Sequence, residues 1–87
     1  MSIKSDVDKA KVRTAIKIFL TLKGDASARQ LAFFINDLNL KLRSNINSTV
    51  IANELTYCMS ETKNFLQVNF YKDNKGIRRY YLENKKD

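Results

Sequence analysis

Two stretches of this chain carry residues suited to chemistry. One is Asn47, Ser48 and Thr49, followed at helical spacing by Asn53, Thr56 and Tyr57. The other is "YKDNKGIRR", in which Lys72, Lys75, Arg78 and Arg79 surround a polar turn. Lys41 and Arg43 lie just ahead of the first stretch. Amide side chains pair with adenine edges, hydroxyls and main-chain N–H groups at a helix start hold phosphate, and Lys and Arg neutralise it. The chemistry on offer is recognition of a phosphate polymer.

Catalysis has little to build on. The chain has no histidine, which removes the usual general base and the commonest metal ligand. It shows no paired-carboxylate site, phosphate-binding glycine loop or metal-ligand spacing. Its one cysteine, Cys58, excludes an internal disulfide and reads as a small buried apolar residue. A non-enzyme with no cofactor and no metal is expected.

Charge agrees. Sixteen Lys and Arg against nine Asp and Glu give +7 over 87 residues. A polyanion partner, usually nucleic acid, accounts for such a surplus. The bland alternative is an AT-rich coding sequence, since eleven of the sixteen basic residues are Lys. An apolar share of 44% argues against disorder. No apolar run approaches the roughly 20 residues of a membrane span, and no signal-peptide pattern opens the chain. The expectation is a cytoplasmic, DNA-associated protein without membrane contact.

One small scaffold must position these residues, a single domain over residues 1–87 with an ordered core from Asp6 to Glu83. Residues 1–5 read as a flexible start. Val12, Ile16, Phe19 and Leu20, with Ala15 and Leu22 widening the stripe, predict a first helix. Ser5 or Asp6 caps it, Asp6 and Asp8 suit its positive end, and Gly24 stops it. Leu31, Phe34, Ile35 and Leu38 predict a second helix, capped by Ser27 and ended by Asn39. Residues 40–48 read as a loop, with a short extended piece possible from Leu40 to Arg43. Ile51, Leu55, Cys58 and Met59, with Val50 nearby, predict a third helix over residues 47–62, capped by Asn47 or Ser48. Its other face carries Thr49, Asn53, Thr56 and Tyr57, and Glu54 is the one acid in its body. The period then becomes two. Leu66, Val68 and Phe70 alternate with Gln67, Asn69 and Tyr71, and Ile77, Arg79 and Tyr81 alternate with Arg78, Tyr80 and Leu82. "KDNKG" between them is a turn, with Gly76 where φ must be positive. The fold class is α+β: a three-helix core followed by a C-terminal, two-stranded antiparallel β-hairpin, with residues 83–87 as a solvated tail.

This order resembles the winged helix-turn-helix DNA-binding domains from Asp6 to Glu83. The resemblance implies a third helix in the DNA major groove, presenting Ser48, Thr49, Asn53, Thr56 and Tyr57. It implies a wing on backbone or minor groove, carrying Lys72, Lys75 and Arg78. Two departures stand out. Residues 40–48 exceed the usual tight turn, and only "DASA" has room for the small strand between helices one and two. Asn53 and Tyr57 also resemble the pair in domains that bind left-handed duplexes, but the prolines and tryptophan of that wing have no counterpart.

Several residues keep two readings. One of Tyr80 and Tyr81 is expected to pack. Arg78 and Arg79 face opposite sides of a strand, so one reaches phosphate while the other covers an apolar surface or pairs with an acid such as Glu83. Lys9, Arg13 and Lys17 share a face of helix one, either a phosphate stripe or a solvated face, and that helix is also open to a homodimer contact. The leading function is a small DNA-binding protein, a transcriptional regulator or a nucleoid-type architectural protein, binding duplexes that include AT-rich ones. The alternative is a protein–protein interaction module in a larger assembly.

Overall fold

A computed structural model describes residue 3 and residues 6–43, 45–60 and 67–83. It is α+β, in the order α1 (Asp6–Lys23), β1 (Asp25–Ala26), α2 (Ala28–Leu38), α3 (Ser48–Ser60), β2 (Val68–Lys72) and β3 (Arg78–Leu82). Expectations for Ser5, residues 61–62, Leu66 and residues 84–87 fall outside the described residues.

Four helix ends carry the residues that the sequence nominates. Gly24 takes φ 92° and donates its N–H to the Leu20 carbonyl, ending α1 in the left-handed region. Ser27 and Gln30 form a reciprocal capping box at the start of α2: Ser27 Oγ accepts from the Gln30 N–H, and Gln30 Oε1 accepts from the Ser27 N–H. Asn39, at φ 55°, closes α2. Asn47 is the cap of α3, its Oδ1 accepting from the Val50 N–H at 2.9 Å.

The sheet has three strands in the order β1-β3-β2, all antiparallel. This corrects the expected two-stranded sheet. Gly24 stops α1 and Ser27 starts α2, and the two residues between them run extended. Asp25 pairs with Tyr81 and Ala26 with Tyr80, so β3 is the central strand. β2 pairs with β3 from Val68↔Leu82 to Lys72↔Arg78. The turn between them holds Gly76 at φ 79°.

One core joins the layers. Ile16, Leu31, Ile35, Ile51, Leu55, Val68 and Tyr80 are fully buried, as is Cys58. Tyr80 is thus the packed member of the tyrosine pair, with Phe70 beside it at 6.0 Å between ring centroids. Ile3 is buried as well, against the expectation of a flexible start. Leu22 is not in the core. It lies about 200° around α1 from buried Leu20 and is 74% exposed. Leu38, in the last turn of α2, is also exposed, lining an open groove with Ile18 and Leu40.

Residues 40–43 and 45–47 form neither helix nor strand, and two hydrogen bonds tie them down. Asp8, buried in the first turn of α1, accepts from the Arg43 N–H at 2.9 Å. The Asn36 amide of α2 donates to the Ile46 carbonyl at 2.9 Å. Leu40 and Leu42 pack on the core edge and Ile46 is buried.

Candidate nucleic-acid interface

The candidate surface starts from α3. Its buried side is Val50, Ile51, Glu54, Leu55 and Cys58. Glu54 is the departure from simple periodicity. It is 3% exposed and pairs with Arg13 of α1 at 2.7 Å. A buried carboxylate is costly unless paired, so this contact fixes α1 against α3. It also removes the one acid of α3 from its outer face. That face, with Thr49, Asn53, Thr56 and Tyr57 exposed, carries amide, hydroxyl and phenol groups. Thr56 Oγ1 donates to the Ala52 carbonyl at 2.9 Å, a local bond that leaves its oxygen able to accept. Ser48 and Thr49 are exposed in the first turn, and Asn47 is held there by its cap bond.

The basic edge of α1 borders this face. The Lys9 ammonium sits 5.5 Å and the Arg13 guanidinium 6.0 Å from the centroid of the Tyr57 ring. Such contacts are worth about 0.5–1 kcal/mol each where exposed. Lys17, one turn beyond Arg13, is exposed. Spacing alone makes Lys9, Arg13 and Lys17 a stripe. Its juxtaposition with Tyr57 is tertiary, and no pattern within either helix signals it. Arg43 is exposed, its main chain fixed by Asp8 in the first turn of α1.

The hairpin presents a second group. Asp73 Oδ1 accepts from the N–H groups of Lys75 and Ile77 at 2.9 and 3.0 Å, folding the turn around its own carboxylate. Lys72 and Lys75 are exposed on it. The arginine doublet is split, as alternation requires. Arg78 is exposed and lies 4.5 Å from the centroid of the Phe70 ring. Arg79 sits on the opposite sheet face, paired with Asp25 at 2.9 Å. Its acidic partner is therefore Asp25 and not Glu83, which accepts instead from the Asn69 amide at 3.2 Å. The side chain of Asp25 is brought there by the short strand β1.

The Tyr71 hydroxyl completes this outer network, donating to Asp25 Oδ2 at 2.6 Å. That bond first, and the Arg79 bond second, hold the Asp25 carboxyl below its ordinary range. The same bond raises the Tyr71 phenol, because ionising it would forfeit the donor. Arg79 is stabilised in its charged form by Asp25. Tyr71 and Tyr81 lie side by side here, 6.1 Å between centroids.

The outer face of α3 is thus bordered by Lys9 and Arg13 of α1 at Tyr57, while Lys17 and Arg43 are exposed. Lys72, Lys75 and Arg78 cluster at the hairpin turn, and Arg79 is committed elsewhere. Among the described residues no group of His, Cys, Asp and Glu could hold a metal ion, and no helix is long and apolar enough to cross a membrane. Compared with known protein families, curated proteins and solved structures, the chain matches none.

Proposed function

We propose that this chain is a small winged-helix protein that binds double-stranded DNA, with α3 in the major groove and the β2–β3 hairpin as the wing on backbone or minor groove. The carrying observation is the withdrawal of Glu54. With that acid buried against Arg13, the outer face of α3 keeps only neutral polar groups among the described residues, bordered at Tyr57 by Lys9 and Arg13. Two further acids are taken up by contacts within the fold. Asp8 is buried and Asp25 is engaged by Arg79 and Tyr71. Asn53 is the base reader, best suited to adenine. Ser48, Thr49 and Arg43 contact phosphate at the start of α3. Lys72, Lys75 and Arg78 contact the backbone from the wing. A partly buried, paired Arg79 contributes least.

The test is titration of the chain with random and AT-rich duplexes at two salt concentrations. With five or so phosphates contacted, log K should fall against log salt with a slope of about −4 to −5. A flat response overturns the reading. A preference for one sequence marks a regulator, and equal affinities mark an architectural binder. The second reading, a protein-interaction module, is favoured by the exposed apolar side chains of α1 and α2.

A further inference from the structure

Eight large apolar side chains are exposed among the described residues, and five of them, Val7, Ile18, Leu22, Phe33 and Leu38, lie on α1 and α2. The most exposed is Phe33, at 76%. Beside it runs an open groove floored by Phe19 and Phe34, whose rings pack 4.7 Å apart. Arg29 and Asp37 line the same groove. A patch of this kind calls for an occupant, and the charges say which.

Arg29, Phe33 and Asp37 are spaced four apart, so they form one stripe along α2 with Phe33 at its centre. Such a stripe is complementary to itself. When two copies of α2 pack antiparallel about a two-fold axis at Phe33, position 29 of each meets position 37 of the other. Arg29 then faces Asp37 of the second copy, twice, and each Phe33 faces the Phe19–Phe34 groove of its mate. A closed two-fold interface requires this kind of reciprocity, whereas an unrelated partner would not. We propose that the chain forms a homodimer through the outer face of α2, with Phe33 as its apolar centre and Arg29–Asp37 ion pairs on either side.

This interface is compatible with the nucleic-acid surface and does not depend on it. Phe19, where α1 lines this groove, lies about 120° around that helix from Arg13. Pairing through α2 therefore leaves the polar face of α3 and the basic stripe of α1 open on both copies.

The test is sedimentation equilibrium of the full chain without DNA. The natural chain should sediment as a dimer. Arg29→Asp places four carboxylates around the axis and Asp37→Arg places four guanidiniums. Each should weaken dimerisation by about a hundredfold or more, since like charges are brought together twice. Mixed one to one, these two variants are complementary at both ends and should form a heterodimer. The double variant R29D/D37R should dimerise with itself. Both changes suit the helix, an acid in its first turn and a base in its last, so circular dichroism should be unchanged. The proposal is overturned by a natural chain that stays monomeric, by single variants that stay dimeric, or by a mixture that stays monomeric. A monomeric natural chain would leave the patch to a different protein.

Discussion

The Arg13–Glu54 pair offers a direct test of how the helices are held together. Arg13→Met removes the cation and strands a carboxylate whose side chain is 3% exposed. Breaking a fully buried pair in this way costs about 3–5 kcal/mol. Arg13 keeps 19% exposure, so water reaches one side of the contact and the cost falls below that range, to about 2–3 kcal/mol. Domains of this size have roughly 4–13 kcal/mol in total, so the loss is a large fraction. The thermal midpoint should drop by about 10–20 °C. Glu54→Met strands nothing, because the guanidinium turns to solvent beside Tyr57, and should cost about 1 kcal/mol or less. The double variant replaces the pair by two apolar side chains and should lie within about 1 kcal/mol of the natural chain. Urea unfolding of all four proteins, followed by circular dichroism, gives the coupling, expected near 2 kcal/mol. Losses that simply add, with a coupling below about 0.5 kcal/mol, would refute the pair as a structural unit. DNA titration supplies a second sign. Glu54→Met should hold or raise affinity, since it removes an acid, while Arg13→Met should lower it.

Other outcomes follow from single contacts. Asn53→Ala should reduce discrimination between duplex sequences by about 1–3 kcal/mol, and an unchanged preference removes it as a base reader. Lys75→Ala should instead weaken all duplexes alike and shrink the salt slope by about one, as read by the same titrations. Ser27→Ala takes one arm from the capping box of α2 and should cost about 1 kcal/mol in urea unfolding. The Asp25 carboxyl is held below its ordinary value of 3.8, so its contribution is present above that pH and fades as pH falls below it. Tyr71 is raised from 10.0, so its contribution is present below that pH and fades above it. Asp25→Asn should therefore flatten the stability profile at both ends, and a profile unchanged at either end argues against the network.

Much of this was open to reading from residue order, and what was not has a physical reason. Val12, Ile16 and Leu20, then Leu31 and Ile35, then Ile51, Leu55 and Cys58 mark three helices because burial repeats with the turn. Ser27, Asn39, Asn47 and Gly24 mark their ends because each satisfies or terminates main-chain groups locally. Strand β1 is legible only as room within "DASA", because two residues, Asp25 and Ala26, are too few to show a period, and their partners lie at Tyr80 and Tyr81. Glu54 looks like an exposed acid until its cation is known, and that cation is 41 residues away. Leu22 and Leu38 look buried because a hydropathy pattern counts apolar residues without knowing where the neighbouring helix ends. Arg79 was offered Glu83, the acid near it in sequence, but β1 delivers Asp25 to the same sheet face. The local signal could not see partners distant in sequence, and at Leu22 and Leu38 it was wrong about burial.

The burial of Cys58 has a practical meaning. It is the only thiol of the chain and its exposure is 0%, so an alkylating reagent reaches it only in molecules whose α3 has left the core. The rate of alkylation is then a clock for opening, built into the natural sequence with no label added. Because α3 also carries the proposed DNA face, a bound duplex should slow that clock by the factor 1 + [L]/Kd. A fully buried residue thus becomes a reporter for what happens at the surface.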